Sequence, residues 1–216
     1  MDPAAENDLS EFAKTLIHSR RNVSPRRLIA PGPSAHQLQD ILGAAAAAPD
    51  HGQLLPWRFV VVPIAQRERL AEVFGLALLD RDPQATPAQV ESAREKAHRA
   101  PFLMLAIARL ADHPVPPGAA PERDAQHPPA IDVEVNDAER LVSLGCAIQN
   151  VLLSAHAAGF GTGVTSGQAL VSARLRALFN LQEREQAVCC INIGSVTKSK
   201  PAPVRPQLMD YVTELG

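Results

Sequence analysis

Bulky aromatic residues are scarce in this sequence, since Phe, Trp and Tyr make up 4% of its 216 residues, with a single Trp and a single Tyr. A core of small and aliphatic side chains packs its elements closely but offers few large groups to fill its centre. Long hydrophobic runs are also missing, because no run approaches the roughly 20 apolar residues of a membrane span. We therefore expect a chain that does not cross a membrane.

Neither sign of charge dominates the sequence. The 21 Lys and Arg residues face 23 Asp and Glu residues, and the formal net charge of −2 disfavours a nucleic-acid binder. The three cysteines, Cys146, Cys189 and Cys190, are odd in number and two are adjacent, which argues against a disulfide framework. With no secretory signal visible in the acidic N-terminus, we expect a cytoplasmic protein.

Motifs that would supply a metal or a nucleophile are missing as well. The sequence has no two-histidine helical metal motif, no CxxC, no G-x-S-x-G elbow and no P-loop. Cys146 falls on an apolar helix face, where packing is its expected role. We therefore expect no metal site and assign no catalytic side chain, so that an enzyme of this sequence would depend on a cofactor for its chemistry.

The length fits one domain, residues 1–216, with a proline-rich excursion at 112–131. Apolar runs predict buried strands at 59–62, 101–110 and 187–193, and a short strand at 160–165. Periodicity and capping residues predict helices that begin at Ser10 and Ser34 and span 66–79, 86–100, 137–158 and 172–179. Because these elements do not alternate strictly, the pattern favours an α+β domain over a doubly wound parallel sheet.

The longest predicted helix, 137–158, carries apolar residues at helical spacing and small residues on its other faces. This pattern predicts a helix that is buried on most sides. Its apolar positions are Leu141, Leu144, Ile148, Val151, Leu152 and Ala155. Gly159 is expected to end the helix.

A basic cluster, Arg20, Arg21 and Asn22, follows the first predicted helix. Guanidinium groups bind phosphate through paired hydrogen bonds and stay charged at neutral pH. Taken alone, however, the cluster fits a solvated helix end better than a phosphate site.

Asp50 and His51 lie in a connection between a helix and a strand. Such a pair can bind a ligand or transfer protons, or it can satisfy the backbone of a turn, and both interpretations stay open.

Glycine-rich and basic segments stand near the end of the chain. The segment 159–167 approaches the dinucleotide fingerprint but follows a helix rather than a strand, so we reject a Rossmann site. Its glycines would still let the backbone approach a flat ligand closely. The segment 194–200 offers Ser, Thr and Lys to a phosphate, although, taken alone, it fits an exposed basic tail better.

Taken in this order, the segments resemble the nitroreductase-like family of FMN flavoproteins, from about Phe12 to Lys200. The resemblance rests on R-R-N, on A-A-A-P-D-H followed by P-W-R-F-V-V-V, on LGCAIQNVLLSAHAAGFGTG and on INIGSV. The A-P-D-H form resembles the small, single-domain YdjA-type branch. The resemblance implies an α+β fold with a mixed, mainly antiparallel central sheet flanked by helices. It also implies a homodimer with two FMN sites at its interface.

The resemblance assigns roles to nine residues. Arg20, Arg21 and Asn22 would hold the FMN phosphate and part of the ring, and His51 would reach the flavin across the dimer interface. The flavin would be lined by Val164, Thr165 and Ser166, with Lys198 or Lys200 near the phosphate. The sequence departs from the family pattern at Asn22, where Ser is usual, and at Val164, where a bulky aromatic residue is common.

The implied activity is hydride transfer from NADPH or NADH, through flavin N5, to a small acceptor such as a nitroaromatic or a quinone. Two alternatives stay open: an FMN enzyme with another specialised redox substrate, and a non-catalytic flavin-binding dimer. The departures at Asn22 and Val164 and in 112–131 affect the expected substrate more than the cofactor.

Overall fold

A computed structural model describes residues 3–111, 135–198, 201 and 203–216. The predicted excursion at 112–131 lies outside the described residues. The described chain builds one sheet with helices on both faces.

Five strands form the central sheet. They are β1 (Leu28–Ile29), β2 (Trp57–Val61), β3 (Phe102–Arg109), β4 (Gly161–Thr165) and β5 (Glu185–Val196). The order along the sheet is β1-β5-β3-β2, and β4 also pairs with β5. All four pairings are antiparallel, and the parallel contact among the described residues is an isolated bridge between Asn22 and Thr162. The expected mixed sheet is therefore antiparallel in all of its strand pairs.

Six α-helices surround the sheet in the described residues. They are α1 (Pro3–Ser19), α2 (Ala35–Gly43), α3 (Arg67–Arg81), α4 (Pro87–Arg94), α5 (Asp137–Ala157) and α6 (Ala173–Leu178). The predicted cap at Ser34 is present, since the Ser34 hydroxyl accepts from the Gln37 amide and the Gln37 side chain accepts from the Ser34 amide. Gly159 has φ 87, the left-handed conformation expected just after a helix.

The central strand β3 divides the core in two because its side chains alternate between the faces of the sheet. One set packs against α2 and α5: Phe102, Met104, Ala106 and Ala108. The other set packs against α3 and α6: Leu103, Leu105 and Ile107. Both sets are buried, which explains why β3 reads as one uninterrupted apolar run in the sequence.

Several boundaries differ from the prediction. The first helix begins at Pro3 rather than Ser10, and the predicted helix over 86–100 divides into α4 and a 3-10 turn, Glu95–His98. β1 was not predicted, because two paired residues between arginines and a proline leave no periodic signal. β5 runs beyond the predicted 187–193 because its ends pair with partners distant in sequence.

The prediction for α5 is correct in extent but wrong about burial on most sides. Leu144, Ala147 and Val151 are buried against the sheet, whereas Leu141 is 40% exposed and Val142 is 66% exposed. One stripe of α5 therefore faces outward in the isolated chain.

No helix of the described residues is both long and apolar enough to cross a membrane. The same residues contain no group of three or more His, Cys, Asp or Glu side chains placed to hold a metal ion.

Candidate active site

The basic segment after α1 lies along β4. The Val23 amide donates to the Thr162 carbonyl oxygen at 2.7 Å, and the Val164 amide donates to Oδ1 of Asn22 at 2.9 Å. These bonds bring two predicted segments together, although 142 residues separate Asn22 from Val164. With its oxygen engaged, Asn22 keeps its side-chain NH₂ group for a ligand.

The absence of a side chain at Gly163 allows this close approach. A Cβ atom there would clash with the Val23 carbonyl oxygen and would lie 3.3 Å from the ring of Pro25. The glycine-rich sequence therefore does let backbones approach closely, but the partner here is the basic segment.

Two cationic side chains lie near each other at one end of this segment. Nη2 of Arg205 donates to the backbone oxygen of Arg20 at 3.1 Å. Burial and the nearby Arg205 cation both lower the pKa of Arg20, which nevertheless stays charged at neutral pH. Within the described residues no carboxylate forms an ion pair with either arginine. The pair is therefore a candidate anion site, and Arg21 is half-buried beside it.

His156, near the end of α5, borders the same cations. Its Nε2 lies 2.7 Å from Oγ of Ser19. Burial and the positive charge of Arg20 lower the pKa of His156, so its ring is neutral at physiological pH.

Opposite the cations, β4 ends in the exposed segment Thr165–Gly167. Asn192, which is 2% exposed, fixes this end by donating from Nδ2 to the Gly163 oxygen at 3.1 Å and to Oγ1 of Thr165 at 3.3 Å. The amides of Ser166 and Gly167 make no hydrogen bond to another described residue. They are therefore free to donate to a ligand.

A cavity of about 430 Å³ opens beside Pro25 and the segment Thr165–Gly167. Its floor and one wall are apolar, with side chains from α3, β3 and β5 and from the turn before α6. These residues are Phe74, Leu78, Leu103, Ala169, Leu170 and Cys190. The volume suits a small aromatic molecule or ring system.

The second wall of the cavity comes from α4 and the 3-10 turn that follows it, and it includes Lys96 and Arg99. Arg67, which is 3% exposed, positions this turn by donating to the Ala97 oxygen at 2.7 Å and to the Ala100 oxygen at 3.3 Å. It also donates to the Val62 oxygen at 2.7 Å, which ties the turn to the end of β2.

Cys190 faces the cavity but is not a nucleophile. It is 7% exposed, and burial raises the pKa of its thiol to about 12. The thiol therefore stays protonated at neutral pH, and we assign it to packing.

Asp50 and His51 have separate roles in the structure. The Asp50 carboxylate accepts from the amides of Leu54 and Leu55, at 3.1 and 2.8 Å, and so satisfies the turn. His51 is exposed, with Nδ1 3.5 Å from Glu139 near the start of α5. Arg20 borders the other end of α5, about 25 Å away by helix rise. Within one chain, His51 and Arg20 are therefore too far apart to share one small ligand.

Of the two lysines predicted near the phosphate, Lys198 is exposed beyond the end of β5, and Lys200 lies outside the described residues. Sequence reasoning missed four residues of this region: Lys96, Arg99, Asn192 and Arg205. Asn192 left a signal, as a polar residue inside an apolar strand. The three charged residues left no signal in the sequence, because a cation on an amphipathic helix or in a tail is usually solvated.

Comparisons with known proteins identify the family of the chain. The sequence profile of the Nitroreductase family matches residues 17–195. The chain belongs to the nitroreductase family. This membership confirms the resemblance noted in the sequence and makes the protein an oxidoreductase.

Two bacterial relatives are similar over most of their length. A protein of Haemophilus influenzae, provisionally named NAD(P)H nitroreductase, is 29% identical over 204 residues, which cover 94% of this chain and 99% of the relative. A protein of Escherichia coli K12, provisionally named NAD(P)H nitroreductase YdjA, is 31% identical over 186 residues, 85% of this chain and 87% of the relative. The expected likeness to the YdjA-type branch is therefore confirmed.

The fold is similar to that of solved nitroreductase structures. The FMN-dependent nitroreductase NfnB of Mycobacterium smegmatis, solved in complex with NADPH, superposes with a TM-score of 0.69 at 16% identity, covering 96% of this chain and all of that one. A nitroreductase-like protein of Bacillus cereus gives a TM-score of 0.73 at 16% identity, over 93% of this chain and 94% of that one. These likenesses confirm the α+β fold class.

Proposed function

We propose that this nitroreductase-family protein is an FMN-dependent oxidoreductase that takes hydride from NADPH or NADH and reduces a small acceptor, such as a nitroaromatic or a quinone. The observation that carries the proposal is the run of groups along β4. The Arg20–Arg205 pair stands at one end, and the free amides of Ser166 and Gly167, at the mouth of the cavity, stand at the other. The groups of FMN follow the same order, with a phosphate at one end and a flat ring at the other.

The charges and hydrogen-bond donors of these residues fit FMN. The two arginines have no carboxylate partner in the described chain and would neutralise a phosphate dianion. The close packing at Gly163 holds Asn22 at a fixed place beside β4, where its NH₂ group would donate to the bound molecule. When bound, FMN supplies a two-electron carrier that receives hydride at N5 and passes electrons to an acceptor.

The chain's own contribution is binding, orientation and electrostatics. The amides of Ser166 and Gly167 would donate to negative charge that develops at the ring edge, and fixed donors of this kind stabilise charge without reorganisation. The apolar floor at Phe74 and Leu103 excludes water from one side of the cavity. His156 is neutral beside Arg20 and therefore adds no charge to the proposed phosphate site.

We further propose that the working form is a homodimer with an FMN site at each end of its interface. Apolar side chains are exposed on α5, on α1 and in the C-terminal segment, a pattern that marks interaction surfaces. They include Leu141, Val142, Leu9, Phe12, Leu208, Met209 and Tyr211. A second chain running antiparallel along α5 would bring its His51 to the Arg20 end and so supply the contact that one chain alone cannot make. The cytoplasm, where NADPH and NADH are available, is the proposed compartment.

Reconstitution with FMN tests the phosphate site. Arg20→Gln removes a charge-assisted contact that is worth about 1.5–3 kcal/mol, so we expect the Kd for FMN to rise about 10- to 150-fold. Flavin fluorescence quenching measures that Kd. Arg69→Gln is the matched control, because it removes an exposed cation on α3, outside the proposed site, and it should leave the Kd unchanged. An unchanged Kd in Arg20→Gln excludes Arg20 from the site.

Turnover distinguishes catalysis from binding. We expect the FMN-loaded protein to oxidise NADPH or NADH when a quinone or a nitroaromatic is added, as followed by the loss of nicotinamide absorbance. A protein that binds FMN but oxidises no nicotinamide would favour the non-catalytic alternative. A protein that oxidises the nicotinamide but reduces neither acceptor would favour a specialised redox substrate.

A further inference from the structure

The charged side chains that line the cavity share one sign. Arg81, Lys96 and Arg99 reach its wall, and no Asp or Glu of the described residues lines it. This arrangement is unexpected in a chain whose formal net charge is −2. Proteins accept like charges around one cavity when its occupant carries the opposite charge.

Arg99 is poorly satisfied by its own chain. Its Nε is buried and has no hydrogen-bond partner. Its Nη2 lies 3.4 Å from the Ser92 oxygen and 4.0 Å from the nearest carboxylate oxygen, Oε2 of Glu95. Burial and the nearby Arg26 cation lower the pKa of Arg99 despite that carboxylate. A half-buried guanidinium with an unused donor needs an acceptor that the protein does not supply.

The placement of the three cations divides the cavity into two regions. Arg81, at the end of α3, and Lys96 are exposed at its rim, whereas Arg99 is only 19% exposed. Phe74, Leu103 and Leu170 form the apolar floor. With the flavin ring at the mouth beside Thr165–Gly167, the interior of the cavity offers an apolar surface for the ring of an acceptor and a cationic wall for a group attached to that ring.

We propose that this wall is a carboxylate-binding subsite, which selects aromatic electron acceptors that carry a carboxylate. The proposal rests on the oxidoreductase function proposed above and specifies its substrate class. Arg99 would bind the carboxylate through its guanidinium, whose paired donors match the two carboxylate oxygens. The rim cations would attract the anion before it enters, an effect that salt weakens.

Matched acceptors test the subsite in the FMN-loaded protein. 4-Nitrobenzoate and 4-nitrobenzamide have nearly the same shape and differ in charge. We expect kcat/KM to favour the nitrobenzoate by at least about tenfold, and we expect Arg99→Gln to remove that preference by raising the KM for the nitrobenzoate. Arg81→Gln, an exposed and structurally undemanding change, should reduce the preference about two- to fivefold at low salt. Arg69→Gln should keep it in full.

Binding gives a readout that does not depend on turnover. Calorimetric titration with benzoate and with benzamide should show preferential benzoate binding, and Arg99→Gln should abolish that preference. If benzoate binds with this preference but neither acceptor is reduced, the subsite stands and the proposed function fails. If both acceptors are reduced equally well and benzoate binds no better than benzamide, the function stands and the subsite is wrong.

Two other results would overturn the subsite. An equal loss of activity with both acceptors in Arg99→Gln, together with weaker FMN binding, would assign the cations to the flavin. If Arg99→Gln slows reduction by NADPH but not by NADH, and the acceptor preference is unchanged, the cations of the cavity wall would be assigned to the 2′-phosphate of NADPH. If Arg99→Gln does not fold, Arg81→Gln decides by the same comparison, and an unchanged acceptor preference there contradicts the proposal.

Discussion

At the residue scale, Arg205 donates to the backbone oxygen of Arg20, at the start of the segment 20–25 that packs on β4. Like charges this close repel each other, and burial adds to the cost, so the pair is maintained against local electrostatics. Gly163 permits the packing because any side chain there would meet the Val23 backbone. The position of the basic segment, and with it the proposed anion site, thus depends on a glycine that carries no charge.

Gly163→Ala tests this dependence. The added methyl group must displace the backbone of the basic segment, and overpacking of this kind costs about 1–3 kcal/mol. We expect a lower free energy of unfolding in urea and weaker FMN binding. Gly43→Ala is the control, because its Cβ would meet nothing within 4 Å and its backbone is helical. Equal stability and FMN affinity in both variants would contradict the role given to Gly163.

The sheet is held at the element scale by side chains as well as by its ladders. Glu185, at the start of β5, is 7% exposed and accepts from Nε and Nη2 of Arg58 on β2, at 2.6 and 2.7 Å. It also accepts from the Gln182 amide at 3.1 Å. The hydrogen bonds from Arg58 lower the pKa of Glu185, and burial opposes them only in part.

This pairing predicts a pH dependence of stability. Because the folded-state pKa of Glu185 lies below its unfolded value of 4.5, its contribution is complete above that value and is lost as pH falls through the folded pKa. We expect Glu185→Gln to lower the free energy of unfolding at pH 7 by about 1.5–3 kcal/mol, with the deficit narrowing in acid. Denaturant melts at pH 7 and at pH 3 measure this. Glu183→Gln, an exposed neighbour, should show neither effect.

Surface composition is informative at the scale of the whole molecule. The sheet buries its two cores fully, yet α5 leaves Leu141 and Val142 exposed, and Phe12 of α1 is 59% exposed. A second copy would cover these side chains and place His51 at the anion site. The scarcity of aromatic residues agrees with this picture, because small side chains allow close packing between chains.

Val142→Glu tests the proposed dimer. A charge in a buried apolar seam is costly, so we expect the variant to be monomeric by light scattering and to lose FMN, while the unchanged chain has twice the monomer mass. Ile64→Glu serves as the control, since Ile64 is 79% exposed in the 3-10 turn before α3, is not among the residues assigned to the interface, and should leave the dimer intact. A monomeric unchanged chain would exclude the dimer.

The sequence by itself determined the long elements and the family. β3, α5 and the Ser34 cap follow from local patterns of apolar spacing and capping, and the order of short motifs indicated the nitroreductase family. The roles of Asn22, His51 and Val164 were expected from that resemblance, and they stay predictions.

The tertiary structure decided which charges meet. Arg205 lies 185 residues from Arg20, and Lys96 and Arg99 are on a turn whose charges look solvated in the sequence. Apolar spacing marks the buried face of a helix because burial requires apolar side chains there. A cation on a helix surface gives the same sequence pattern whether it faces water or a cavity, and only the packed structure distinguishes the two.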